Sequence, residues 1–164
     1  MEVEGDREPH VFTFDRIFDQ TSENEEIFKE VGIPTVDNVL AGFSSSAFAI
    51  GHWGHGKNDM TLGTTDSQDN WGVAPRMVQY LFDCIAKEES TLSPPPRYTV
   101  TGSCLEIYNE TISDLLVPDS KNLELKKDST GRTYVEGLKT VKLESGGVFL
   151  SSYTHQWRLC ASSR

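Results

Sequence analysis

The chain has 164 residues, 37% of them hydrophobic, and a formal net charge of -10. That length favours one domain with a sizeable core. The acidic balance argues against nucleic acid and against an anionic membrane surface, both of which attract basic proteins through long-range fields. Met1 to His10 forms an acidic, polar leader with no apolar centre, and no apolar stretch is long enough to span a bilayer, so a soluble, cytoplasmic protein is expected. Cys84, Cys104 and Cys160 lie far apart with no C-x-x-C pair, which points to reduced thiols and away from a disulfide framework or a zinc site.

In chain order, Val11-Phe-Thr-Phe-Asp-Arg-Ile-Phe18 alternates as a strand and its turn. Ser22-Glu-Asn-Glu25 reads as a capping box opening a helix with Ile27, Phe28 and Val31 on its apolar stripe. Pro34 suits the first turn of a second helix, with Val36, Val39 and Leu40 on one face and Gly42 as its stop. Ala47-Phe-Ala-Ile50 is a short unbroken apolar run, the pattern of a central strand buried on both faces.

A glycine-rich segment follows, Gly51 to Gly63, and Thr64 to Asn70 reads as a surface loop. Met77, Val78, Leu81, Phe82 and Ile85 fall on one helical face before Ser93-Pro-Pro-Pro96 forbids continuation. Tyr98 to Tyr108 is β-rich, Ile112, Leu115 and Leu116 predict a short helix, and Leu123 to Leu143 reads as strands around a turn at Asp128 to Gly131. The pattern decays from Glu144.

Gly51, His52, Trp53, Gly54, His55, Gly56, Lys57 and Asn58 together fit G-x-x-x-x-G-K, placed after an apolar run and before a helix start. In such a loop the glycines let backbone N–H groups cradle phosphates while the lysine reaches the outer ones. The position after the lysine normally carries a Ser or Thr hydroxyl for Mg²⁺. Here it is Asn58, a weak Mg²⁺ candidate, because an amide oxygen is longer and differently aimed and the ion demands near-octahedral geometry. His52, Trp53 and His55 are bulky for a loop that wraps phosphates closely. A metal site from His52, His55 and Asp59 is not expected, because a glycine-broken loop gives them no common face.

Charge is unevenly spread. Residues 1–30 hold ten acids against three bases, whereas 121–142 hold six bases, Lys126, Lys127 and Arg132 among them, against three acids. An acidic partner, if one docks, docks on the second region.

With these residues in order, the chain resembles a kinesin motor domain. The resemblance rests on Phe12 to Phe18, Val36-Asp-Asn-Val-Leu-Ala-Gly42, Phe48-Ala-Ile-Gly51 with Gly54-His-Gly-Lys57, Gly72-Val-Ala-Pro-Arg76, Leu105-Glu-Ile-Tyr-Asn-Glu110 with Asp114-Leu-Leu116, and Tyr134-Val-Glu-Gly-Leu138. It implies a partial motor domain over 11–143 and a divergent tail over 144–164. The implied fold is α/β, a P-loop NTPase-type central sheet flanked by helices, and the implied activity is ATP-driven movement along microtubules. By the same resemblance Gly51 to Asn58 is the ATP phosphate site, and Lys126, Lys127 and Arg132 face tubulin.

The departures from the family pattern also carry expectations. The opening strand with its R-x-R-P-like end is absent, and Asp59 stands where an aromatic or His commonly packs on adenine. The first switch, N-x-x-S-S-R-S-H, is reduced to Ala161-Ser-Ser-Arg164, and the second, D-L-A-G-x-E, is not found. Phosphoryl transfer is mostly positioning and electrostatic stabilisation, so the chain alone is expected to be deficient in hydrolysis. The competing expectation is a non-catalytic module that binds tubulin or a motor partner.

Overall fold

The computed structural model describes residues 11–52, 54–64 and 67–145. The acidic leader, Trp53 and the tail with its Ala161 to Arg164 fragment lie outside them.

The first helical run has three parts: α1 (Asn24–Ile27), a π-helical turn (Phe28–Gly32) and α2 (Ile33–Leu40). The expected capping box does not form. Glu23 is the N-cap and makes no side-chain cap, while Ser22 turns back to Asp19, whose carboxylate also accepts from the Thr21 amide at 2.7 Å. The Asp19 amide occupies the Ser22 Oγ and the Asp19 carbonyl takes the Ser22 amide, so this local turn uses both groups that the capping box needs. The π-helical turn lies just ahead of Pro34, which has no N–H to return to the preceding turn. Gly42 ends the run as expected. It takes φ 91°, its amide reaches Val39 O at 3.0 Å, and the Phe43 amide reaches Asn38 O at 2.9 Å, the two bonds of a Schellman cap.

Helix α4 (Val73–Thr91) confirms the long apolar stripe and packs on α1, the π-helical turn and α2. Val36, Val73, Pro75 and Ile85 are buried in this helical layer. The Phe28 ring meets Tyr80 edge-on at 6.0 Å, and Tyr80 donates to Asp37 at 3.1 Å. Hydrogen bonding to the Cys84 thiol and then to the Asp37 carboxylate pushes the Tyr80 hydroxyl up to about 12.

Among the described residues the strands pair in three antiparallel couples: β1 (Val100–Gly102) with β6 (Val141–Leu143), β2 (Leu105–Tyr108) with β3 (Thr111–Asp114), and β4 (Leu125–Lys127) with β5 (Thr133–Val135). The short helix expected around Ile112 is strand β3. Asn109 and Glu110 both take positive φ, 49° and 59°, and so close a two-residue hairpin that puts Ile112 opposite Ile107. Alternation then buries Ile112 and Asp114 together. Asp114, 3% exposed, is fully used: its carboxylate accepts from the Leu116 amide at 2.8 Å and the Lys139 amide at 2.7 Å. It thereby ties the β2–β3 hairpin to the segment entering β6.

Two expected strands are not strands. Val11 to Phe18 and Ala47 to Ile50 have no ladder partner among the described residues, and Phe12, Phe14, Phe48 and Ile50 are exposed, Ile50 at 93%. A central strand is made by its neighbours, and none of the described strands lies beside these segments.

Candidate nucleotide-binding loop

The loop from Gly51 to Asn58 runs from the unpaired segment into α3 (Lys57–Thr61). Gly54 and Gly56 take φ 82° and 70°, the left-handed region that side-chain-bearing residues rarely adopt. The glycine spacing of the motif is therefore a backbone requirement, met at the two positions where the chain reverses into the helix.

Lys57 Nζ donates at 2.6 Å to the carbonyls of both Gly51 and His52. The lysine thus folds across its own loop, and the His55 amide closes the interior on His52 O at 3.3 Å. The His52 and His55 rings come within 5.4 Å of each other, so the loop does gather these two side chains. Among the described residues, however, no group of three or more His, Cys, Asp or Glu is placed to hold a metal ion, and Asp59 stands apart on the helix. Asn58 is exposed in the first turn of α3, and its carbonyl serves the backbone, accepting from Leu62 at 2.8 Å and Gly63 at 3.1 Å.

These features fit the phosphate part of a nucleotide and fit Mg²⁺ poorly. Left-handed glycines and a lysine that can swing from carbonyls to phosphate oxygens suit an anion. A single neutral amide gives the cation little to hold.

Behind α3 the loop closes on itself. Gly63 bridges Trp71, the Gly72 amide reaches Leu62 O at 2.9 Å, and the Thr64 amide reaches Asn70 O at 2.9 Å. A side chain on Gly63 would lie 2.0 Å from Asn70 O, and one on Gly72 would lie 2.4 Å from the Thr61 carbonyl carbon. Arg76 caps this closure with bonds to three carbonyls, those of Gln68, Asp69 and Trp71, at 3.0 to 3.2 Å. A cleft of about 740 Å³ opens between this loop, Asp59 and the start of α1, lined also by Glu23, Asn24 and Glu25. Sequence reasoning missed Arg76 and Asn24 as parts of this neighbourhood. The two glycines flanking a polar insert were the available signal for a tight closure.

Lys126, Lys127 and Arg132 do come together on one hairpin. The Asp128 carboxylate shapes its turn, accepting from the Thr130 amide at 2.8 Å and the Arg132 amide at 2.9 Å, with Gly131 at φ 83°. Lys126 is ion-paired with Glu136, which raises its pKa above the usual lysine value. Lys127 and Arg132 are exposed, and among the described residues no carboxylate forms an ion pair with either.

A family model of the kinesin motor domain matches residues 2–156. The chain belongs to the kinesin motor domain family. Similar relatives include the kinesin-like protein KIN-12E of Arabidopsis thaliana, 41% identical over 140 residues, and a kinesin heavy chain of Botryotinia fuckeliana, 40% identical over 135 residues. Each match covers 82% of this chain but only 11% and 15% of the relatives' own lengths. The solved structure of a fast kinesin superimposes with a TM-score of 0.82 at 35% identity, over 90% of this chain and 41% of that one. The backbone therefore follows the α/β kinesin path even where the described residues leave segments of it unpaired. Among the described residues no helix is long and apolar enough to cross a membrane.

Proposed function

We propose that this chain is the phosphate-loop portion of a kinesin-type microtubule motor, binding ATP through Gly51 to Asn58 and facing tubulin with the hairpin of Lys126, Lys127 and Arg132. The observation that carries the reading is the loop itself. Two left-handed glycines lead into a lysine whose ammonium lies over the loop, the arrangement from which an outer phosphate would be gripped. The supporting context is membership of a family whose motors use ATP on microtubules.

By the same reading, residues 1–164 alone bind Mg-ATP weakly, with Kd on the order of 1 mM, and do not turn it over. Asn58 is a poor Mg²⁺ ligand, Asp59 offers no ring to a base, and Lys57 must give up two carbonyls before it meets a phosphate. Tubulin binding would rest on Lys127 and Arg132 more than on Lys126, whose charge is engaged by Glu136. It should fade as salt screens exposed charges over about 8 Å at physiological ionic strength.

The test is Asn58→Thr, followed by calorimetry and by phosphate release with and without microtubules. A hydroxyl returned to this position should tighten Mg-ATP several-fold without creating stimulated turnover, because hydrolysis needs groups that act chiefly in the transition state. Micromolar binding by the unaltered chain would contradict the weak-site reading. Stimulated phosphate release would overturn the claim that these residues lack the hydrolytic groups. Binding to microtubules that ignores nucleotide would favour a tubulin-binding module without turnover.

A further inference from the structure

Helix α3 has five residues, well short of the roughly 12 that an isolated helix needs to be even marginally stable in water. Its place is therefore set by what holds it from outside. On one side, Asn24 Nδ2 donates to the Asp59 carbonyl at 3.1 Å and links α3 to the start of α1. On the other, the chain leaves α3 through Leu62 and Gly63 into the loop closed by the Gly63–Trp71 bridge.

That closure is polar. Gly63 and Gly72 meet backbone against backbone with no room for a side chain at either position. The carbonyls of Gln68, Asp69 and Trp71 instead converge on the Arg76 guanidinium, in the first turn of α4. A planar guanidinium can serve several fixed acceptors at once; an ammonium on a flexible stem holds the same set less rigidly. α4 is in turn anchored in the helical layer through the buried Val73, Pro75 and Ile85.

We propose that Arg76 is a positioning residue: from α4 it clamps the loop behind α3 and so holds Lys57 and Asn58 in the presentation the phosphate loop requires. The consequence for nucleotide rests on the phosphate-site reading given above, whereas the clamp itself is a property of the free chain. Loosening it leaves a short helix held by Asn24 and by its own packing against α4, and the ordering lost in the free protein must then be supplied on binding.

The experiment compares the full chain with Arg76→Ala, Arg76→Lys and Asn24→Ala by residue-resolved amide hydrogen exchange and by Mg-ATP calorimetry. The amides of Met60, Leu62 and Gly63, bonded to Gly56 and Asn58 carbonyls, should lose protection about tenfold in Arg76→Ala and less in Arg76→Lys. The β2–β3 hairpin should stay protected. Millimolar guanidinium should restore part of that protection in Arg76→Ala and none in Asn24→Ala. Mg-ATP affinity should fall about tenfold in Arg76→Ala, with Arg76→Lys between. Unchanged exchange at Met60 to Gly63 overturns the clamp, and so does a uniform loss of protection that includes the hairpin. Exchange that rises with no change in affinity overturns its bearing on the phosphate loop. If the unaltered chain binds no nucleotide, the phosphate-site reading fails and the exchange measurement decides the clamp alone.

Discussion

Strand β2 and the segment Ala47 to Ile50 are each four residues long, yet one is half of a folded hairpin and the other an exposed length of chain. The hairpin carries its partner in the same stretch of sequence. Asn109 and Glu110 reverse the backbone, Leu105 to Tyr108 meets Thr111 to Asp114, and Asp114 fastens the product to the Lys139 amide. Phe48 and Ile50 have only the expectation of neighbours, and no described strand supplies them. Apolar character brings a segment toward a sheet, but backbone pairing makes it a strand, and pairing depends on where the partner sits in the chain.

The largest effect that sharpens this contrast is expected for Asp114→Ala. It leaves two backbone amides without their acceptor in a buried site, at about 1–3 kcal/mol each, so urea denaturation should show a loss of roughly 2–5 kcal/mol. Asp114→Asn, which keeps one acceptor, should lose less. A variant as stable as the parent would mean that water reaches these amides and that the hairpin is not fastened by its carboxylate.

A smaller effect is expected in the β4–β5 hairpin as pH falls. The Thr130 hydroxyl first, and then the Arg132 amide, hold the Asp128 carboxyl below the usual carboxylate value. A depressed pKa in the folded state means that the carboxylate's contribution is fully present above the unfolded value, near 3.9, and is lost as pH drops through the folded one. Amide signals of Thr130 and Arg132 should therefore hold steady from neutral pH down to about 4 and shift below it. In Asp128→Asn that acid shift should vanish. The group is fully exposed, so the global unfolding midpoint should barely follow.

The smallest stability change is expected where the apolar side chains are largest and least covered. Phe48→Ser and Ile50→Thr should each alter the unfolding free energy of the chain by no more than about 0.5 kcal/mol, while reducing binding of a hydrophobic dye and slowing aggregation. A loss of several kcal/mol from either substitution would break the comparison, because it would show that this segment is covered in solution.

Much of the site was legible because its signals are local. The G-x-x-x-x-G-K spacing specifies a loop with left-handed glycines, and Gly54 and Gly56 adopt that conformation. The apolar stripe of α4, the Gly42 stop and the Asp128 to Gly131 turn are equally short-range statements, each decided by residues within one helical face or one turn. The capping box at Ser22 failed for an equally local reason, since the Asp19 amide donates to the Ser22 Oγ that would have accepted from the helix and the Asp19 carbonyl accepts from the Ser22 amide. Ile112 was misread because its spacing from Leu115 and Leu116 fits a helix as well as a strand, and the two-residue reversal at Asn109 and Glu110 decided between them.

By itself, then, the sequence determined the family, the left-handed glycines of the loop and the punctuation of the helices, because glycine, proline and apolar spacing act over a few residues. Only the tertiary structure decided that Lys57 lies on the Gly51 and His52 carbonyls, that Lys126 is taken up by Glu136 while Lys127 and Arg132 stand exposed, and that Arg76 gathers three loop carbonyls behind α3. The first and last depend on which backbone groups a fold leaves without a ladder partner, and the second on which side chains the β4–β5 pairing brings together. That is settled by the path of the whole chain and is written in no single stretch of it.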